Sequence, residues 1–221
     1  SLDRRVVVVV NDINPDDGLL TLREAVVQAN TTPGADTILF APTLTGEITL
    51  FNDQIDISDD LTINGPGAPK LSISGNDSSR IFNIQDFKVA ISGLSIVHGF
   101  APLREDGGGI MNGGDLTLNR VVLSENEAGY GGDTFEDPAP DGGLGGAIFN
   151  SGTLTVANSA ILDNFAGRGG AGYDDFFQGA SGGEGGSGGG IYNNATLIVT
   201  NSTFAGNEAG LVGYWRFADG A

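Results

Sequence analysis

Three stretches of the chain align without gaps over 23 residues: 107–129 (GGGIMNGGDLTLNRVVLSENEAG), 145–167 (GGAIFNSGTLTVANSAILDNFAG) and 188–210 (GGGIYNNATLIVTNSTFAGNEAG). A repeat of that length is a unit of supersecondary structure, and it constrains the fold more than any other feature. Apolar residues alternate over short runs, as in Leu116, Leu118, Val121 and Leu123, which is a strand period and not a helical one. Each copy therefore reads as three very short strands. Such a unit cannot bury its inner face alone, but stacked copies can, with Leu116 over Leu154 over Leu197 and Leu123 over Ile161 over Phe204. The expected fold is all-β, a right-handed parallel β-helix of roughly six coils, with strands stacked about 4.8 Å apart.

A weaker copy runs over 80–101, setting Ile81-Phe82-Asn83 against Ile110-Met111-Asn112, Val89-Ala90-Ile91 against Leu116-Thr117-Leu118, and His98 against Glu125. The alignment predicts an asparagine column through Asn83, Asn112, Asn150 and Asn193, and a second through Asn126, Asn164 and Asn207. Stacked amides can bond along the coil axis, although asparagine is also favoured in turns for local reasons. Between the copies lie 130–144 and 168–187, glycine-rich and acidic. Both leave the coil at the same point, which predicts neighbouring loops on one edge, where repeat folds often place binding.

The segment LLTLREAVVQAN, 19–30, is the one expected helix, with Leu22, Ala25, Val26 and Ala29 on one face and a capping box between Thr21 and Glu24. An amphipathic helix there would cover the open end of the first coil. The stretch VVVVVNDINPDDGLLTLREAVVQANTTPGADTILF, 6–40, resembles the "CSLREA" type N-terminal cap of secreted bacterial right-handed β-helix proteins. Leu22-Arg23-Glu24-Ala25, Ala29-Asn30, Pro33-Gly34-Ala35-Asp36-Thr37-Ile38 and Phe40 carry the likeness, with Thr21 and Leu20 where the family usually has Ser and often Cys. The later copies resemble the polymorphic outer membrane and choice-of-anchor class of repeats. The resemblance implies a large, exported, surface-associated protein, extracellular in location, and carries no shared catalytic residues. The final GLVGYWRFADGA resembles the opening strand of a laminin-G-like domain. The expected organisation is a cap at 1–36, the β-helix at 37–210 and an apolar terminal segment at 211–221.

Charge narrows the function classes. A net charge of −18, with only two lysines, Lys70 and Lys88, disfavours nucleic acid as a partner. The apolar run Val6 to Val10 is far short of the ~20 residues of a membrane helix, no signal peptide precedes it, and the expectation is a soluble chain, mature or cut from a larger one. The absence of cysteine removes disulfides, thiolate metal sites and thiol nucleophiles. Polysaccharide cleavage is the alternative function, since pectate-lyase-like enzymes share this fold. Lyase chemistry needs a base beside a charge-neutralising ion, for which Arg104 and Arg120, near Asp106 and Asp115, are the candidates. Hydrolysis needs paired carboxylates, for which Asp59-Asp60 and Asp174-Asp175 are available. Solvated charge is the plainer reading of both pairs. The single histidine, His98, reads as an exposed turn residue.

No cofactor is required, though calcium is a candidate ligand. The stretch GGAGYDDFF, 169–177, fits one calcium-binding nonapeptide with Asp174 at the ligand position. The neighbouring insertion holds Asp133, Glu136, Asp137 and Asp141, so Asp174, Asp133 and Asp137 could share an ion. DINPDDG, 12–18, fails as an EF-hand loop because glycine falls at the seventh position. Sequons at Asn30, Asn76, Asn194 and Asn201 are no more than this composition would scatter by chance. The ends suggest self-association: Val6, Val8 and Val10 on one side and Tyr214, Trp215 and Phe217 on the other lie outside the repeat. Either could add to an edge strand of a neighbour, giving a ring or filament, or fold back as a cap. The function that follows is a non-catalytic extracellular structural module, for adhesion or head-to-tail assembly, with a polysaccharide or surface component as a further partner.

Overall fold

The structure, a computed structural model, describes residues 5–8, 20–41, 43–51, 53–135, 138–174, 181–213 and 215–217. It is a parallel β-solenoid. From Asp36 onward the chain visits three sheets in turn, beginning with Asp36–Phe40, Gly46–Thr49 and Ile55–Ile57, and ending with Ile191–Asn193, Thr196–Thr200 and Thr203–Ala205. Among the described residues the sheets hold seven, six and five strands, all pairs parallel. Each strand is only 3 to 5 residues long, because the coil must turn three corners within one repeat. The corners use left-handed backbone: His98, Glu125 and Asp163, then Gly206, share one corner with φ between 52° and 65°.

The inner columns follow the register that the repeat dictates. Leu61, Val89, Leu116, Leu154 and Leu197 stack in the seven-stranded sheet. Ile73, Ile96, Leu123, Ile161 and Phe204 stack in the six-stranded one. Below the last coil these side chains are buried, each contributing roughly 1.5–3 kcal/mol.

One expected column is displaced. Asn112 pairs with Ile84, and Asn83 pairs with Met111 on the outer face, so the first strand of the weaker copy aligns one residue away from the expected match, while Val89-Ala90-Ile91 meets Leu116-Thr117-Leu118 as expected. Asn83 instead donates to Asp56 Oδ1 at 2.8 Å. The apolar column Ile57–Ile84 thus becomes Asn112, Asn150 and Asn193 higher up. Asn112 Nδ2 donates to Asn150 Oδ1 at 2.6 Å and Asn150 Nδ2 to Asn193 Oδ1 at 2.6 Å. In the second column Asn126 donates to Asn164 at 2.9 Å and Asn164 to Asn207 at 2.8 Å. Carbonyls such as Ile96 O and Leu123 O take further amide protons. Such buried amides are tolerated because they are hydrogen-bonded.

The helix α1 spans Leu22–Thr31 and begins with a capping box: Glu24 N donates to Thr21 Oγ1 at 3.2 Å and Thr21 N to Glu24 Oε2 at 2.8 Å. Leu22, Ala25, Val26 and Ala29 are buried against the first coil. Its polar residues finish the edge of Ile55–Ile57. Arg23 donates to Gln54 O and Asp53 O, and Asn30 both donates to Asp56 O and accepts from Ser58 N. Arg5–Val8 pairs with Asp36–Phe40 and extends the seven-stranded sheet on this same end.

Candidate functional site

Three surfaces stand out, and the first is built from the two insertions. They lie side by side as a stacked arm whose core is backbone. Each insertion sends an outgoing leg away from the coil (129–135 and 167–174) and a returning leg back (138–145 and 181–188). Outgoing legs bond to each other, Gly131 N to Arg168 O at 2.9 Å and Gly169 N to Leu211 O at 2.9 Å. Returning legs do the same, Gly142 N to Glu184 O at 2.9 Å. A zigzag then joins the two kinds: Gly143 N to Gly129 O, Gly167 N to Gly143 O, Gly186 N to Gly167 O and Gly210 N to Gly186 O, all at 2.7–2.8 Å. Three residues further out the zigzag recurs through Gly170 N to Pro140 O, Gly183 N to Gly170 O and Gly213 N to Gly183 O.

Donors that return every third residue and point to different neighbours are the property of a three-residue, extended polyproline II helix. Glycine is obligatory here for space: a Cβ on Gly167 would lie 2.0 Å from Gly129 O, and one on Gly186 1.9 Å from Gly143 O. Carboxylates serve the arm as acceptors. Asp106 takes Leu144 N, Asp133 takes Ala171 N and Asp141 takes Glu184 N, at 2.7–2.9 Å. Its base is pinned by arginines. Arg80, buried, donates to Gly107 O, Asp106 O, Glu105 and Gln54. Arg104 donates to Gly131 O, and Arg168 lies 4.5 Å over the Tyr130 ring. Beside it, burial raises the Glu127 carboxyl above its ordinary 4.5; the Arg168 guanidinium opposes the rise and Asp77 adds to it.

The terminal segment also belongs to the arm. Residues 210–213 form a third outgoing leg, and Trp215–Phe217 pairs with Gly172–Asp174. Gly210 and Gly213 recur at the spacing of Gly167 and Gly170, a signal visible in the sequence once glycine spacing is read in threes.

The second surface is a groove of about 660 Å³ beside the corner formed by Arg120, Asn158 and Asn201, which all have left-handed backbone with φ of 56°, 50° and 48°. Its floor is Val122, Ala160 and Thr203, and its wall is the turn carrying Pro66 and Pro69. None of its lining residues is Asp or Glu. The third surface is the C-terminal end of the coil, where the inner columns are uncovered: Val199 is 43% and Phe204 44% exposed, against 0% for Val156 and Ile161 one coil below. A hollow of about 440 Å³ opens there between Ile191, Leu197, Phe204 and Asn207.

Of the sequence-derived catalytic candidates, Arg104, Asp106, Asp59 and Asp60 are each bonded to backbone groups. Arg104 is bonded into the arm and Arg120 lines the groove. Asp106 caps an amide of the arm, and Asp115 opens the strand Asp115–Asn119, opposite Lys88. Asp59 and Asp60 cap backbone amides of Asp60 and Lys88. His98 lies between Asp77, 3.3 Å away, and Glu125, 3.8 Å away. Of the calcium candidates, Asp133 is bonded to Ala171 N. Glu136, Asp137, Asp175 and the side chain of Asp174 lie outside the described residues, and among the described residues no three His, Cys, Asp or Glu side chains cluster as a metal set. Val10, Tyr214 and the segment 12–18 also lie outside them, as do the side chains of Val6, Val8, Trp215 and Phe217. No described helix is long and apolar enough to cross a membrane. The class defined by fold and surfaces is a parallel β-solenoid bearing a lateral glycine arm. Compared with known proteins, this chain matches no family model, no curated sequence and no solved structure.

Proposed function

We propose that the chain is a non-catalytic structural module of an exported, surface-associated protein: a right-handed parallel β-helix of about six coils that serves as a directional shaft in adhesion or end-to-end assembly. The observation that carries this reading is the commitment of the chain to scaffold: its coils stack in register through three parallel sheets over a continuous apolar core, with helix α1 covering the core at one end. The resemblance of 6–40 to caps of secreted β-helix proteins supports the extracellular setting. The test is light scattering with electron microscopy across a concentration series. Growth in length along the coil axis is expected; a compact monomer at all concentrations, with release of reducing ends or unsaturated products from a polysaccharide, would replace this reading with the enzymatic one.

A second reading, polysaccharide binding, is favoured by the groove. Its apolar floor and proline wall suit sugar faces, Asn158 and Asn201 suit hydroxyls, and Arg120 supplies the one charge, positive in a strongly acidic chain. Titration with neutral and acidic oligosaccharides tests it, with Arg120→Ala expected to weaken only the acidic ones.

A further inference from the structure

The coil has three corners, and their charges differ. The turns leading from the seven-stranded to the six-stranded sheet are 65–70, 93–94, 120–121, 158–159 and 201–202, and they hold Lys70 and Arg120 but no Asp or Glu. The other corners carry carboxylates, Asp59, Asp60 and Asp86 on one and Asp77, Glu105, Glu125 and Asp163 on the other. In a chain of net charge −18, the groove beside Arg120 therefore lies on a corner of positive charge.

The groove exists because one turn is longer than those above it. Six residues separate Asn64 from Leu71, while two separate Ser92 from Ser95 and two separate Asn119 from Val122. The extra length stands out as the proline wall, held in place by Gly65 N to Ser92 O at 2.8 Å and Gly67 N to Gly93 O at 2.7 Å. Lys70 borders the groove: its Cδ lies 3.9 Å from where a Cβ on the lining residue Gly67 would stand, and its side chain is exposed. Arg120 is the exception in its own column. The same left-handed position is Gly93 one layer below and Asn158 and Asn201 above, residue types that take this backbone readily. An arginine there is strained, as residues held for function often are.

The two cations are two layers apart, since Leu61–Asn64 pairs with Lys88–Ser92 and that strand with Asp115–Asn119. This sets them about 10 Å apart along the coil axis. Between them stand Ser92 and Gly93, without charge. A pyranose advances its chain by close to one layer, whereas an extended peptide advances about 3.3 Å per residue and falls out of step. We propose that this corner binds an acidic glycan laid along the coil axis, one sugar per layer, that turns a carboxylate toward the protein on every second residue. Arg120 takes one carboxylate through paired N–H donors and Lys70 takes the other. Sugar faces rest on Val122 and Ala160, and Asn158 meets hydroxyls.

This inference rests on the reading of the groove as a polysaccharide site, and it adds the charge, direction and register of the ligand. The test is calorimetry of the 221-residue chain with an octasaccharide of alternating glucuronate and N-acetylglucosamine. The same octasaccharide with its carboxyls reduced to alcohols and a hexaglutamate peptide are the comparisons. The expected result is saturable binding of the acidic octasaccharide, at least tenfold weaker for both comparisons. Lys70→Gln is expected to weaken that binding at least threefold. Arg120→Asn is expected to weaken it at least tenfold while raising the melting temperature, because asparagine suits the left-handed backbone; a purely structural Arg120 would move the melting temperature and leave the affinity unchanged, which overturns the proposal. Equal binding of the acidic and reduced octasaccharides also overturns it and leaves the polysaccharide reading standing. Tighter binding of the peptide replaces the glycan with an acidic protein segment, and no binding of either octasaccharide overturns the inference and the polysaccharide reading together.

Discussion

The coil and the arm solve the same problem with opposite materials. In the coil, backbone bonds run along one direction and side chains fill the interior, so that Leu116, Leu154 and Ile161 are shut from water. In the arm, the side chain is removed and backbone packs on backbone, with bonds running in more than one direction between five legs. The coil gains from apolar burial and tolerates conservative exchange among Leu, Ile and Val along a column. The arm gains from hydrogen bonds that are protected from solvent by other hydrogen bonds, and its glycines have no substitute. The difference teaches that stacking, and not side-chain packing, is the shared principle, since the two kinds of layer advance together.

The largest test of this comparison is Leu154→Ala, which removes a central member of an inner column. A loss of about 4 kcal/mol is expected, seen in denaturant unfolding as one transition for the whole molecule. Next is Gly167→Ala, whose Cβ meets Gly129 O. A cost of about 3 kcal/mol is expected, concentrated in the arm, so that the amides of Gly143 and Gly186 exchange faster while that of Leu154 keeps its protection. Equal loss of protection in both regions would show that the arm does not open locally ahead of the coil.

Asn150→Ala sharpens the boundary between the two materials, because the asparagine columns are where backbone-like bonding enters the coil. It removes the acceptor of Asn112 and the donor to Asn193, and a loss of about 2 kcal/mol is expected from the amide left unpaired. The smallest effect belongs to Glu127, at the junction. The folded state holds its proton more tightly than the unfolded chain, so the stability it contributes is lost as pH rises from 4.5 through the raised value. Glu127→Gln should flatten that part of the pH–stability curve, and an unchanged curve would assign the dependence elsewhere.

Much of the coil was legible because its signal is side-chain alternation. Leu116, Leu118 and Leu123 announce strands, and ungapped copies announce their register. The Asn83 slip shows where this weakens: Ile81, Phe82 and Ile84 are all apolar and all buried, so the pattern alone did not say which of them shares a column with Ile110. The arm was illegible to the same method. Its order lies in the glycine period of three that runs through GGEGGSGG and returns in Gly210 and Gly213, a signal that hydropathy does not report. The corner groove needs Pro66 and Arg120, far apart in sequence, to meet across coils, and no local motif encodes that. Helix α1 was readable down to its capping box of Thr21 and Glu24, because helix ends are specified by neighbours in sequence.

The cap also bears on the order in which the molecule is made. Ribosomes deliver α1 before any complete coil, so one sealed end is in place first and each later coil meets a finished surface as it emerges. A repeat chain can in principle start folding at any layer, yet here every new returning leg needs the carbonyls of an outgoing leg already laid down. Synthesis and folding therefore share one direction, and a chain stalled midway would still present a capped, ordered base with its growing edge exposed.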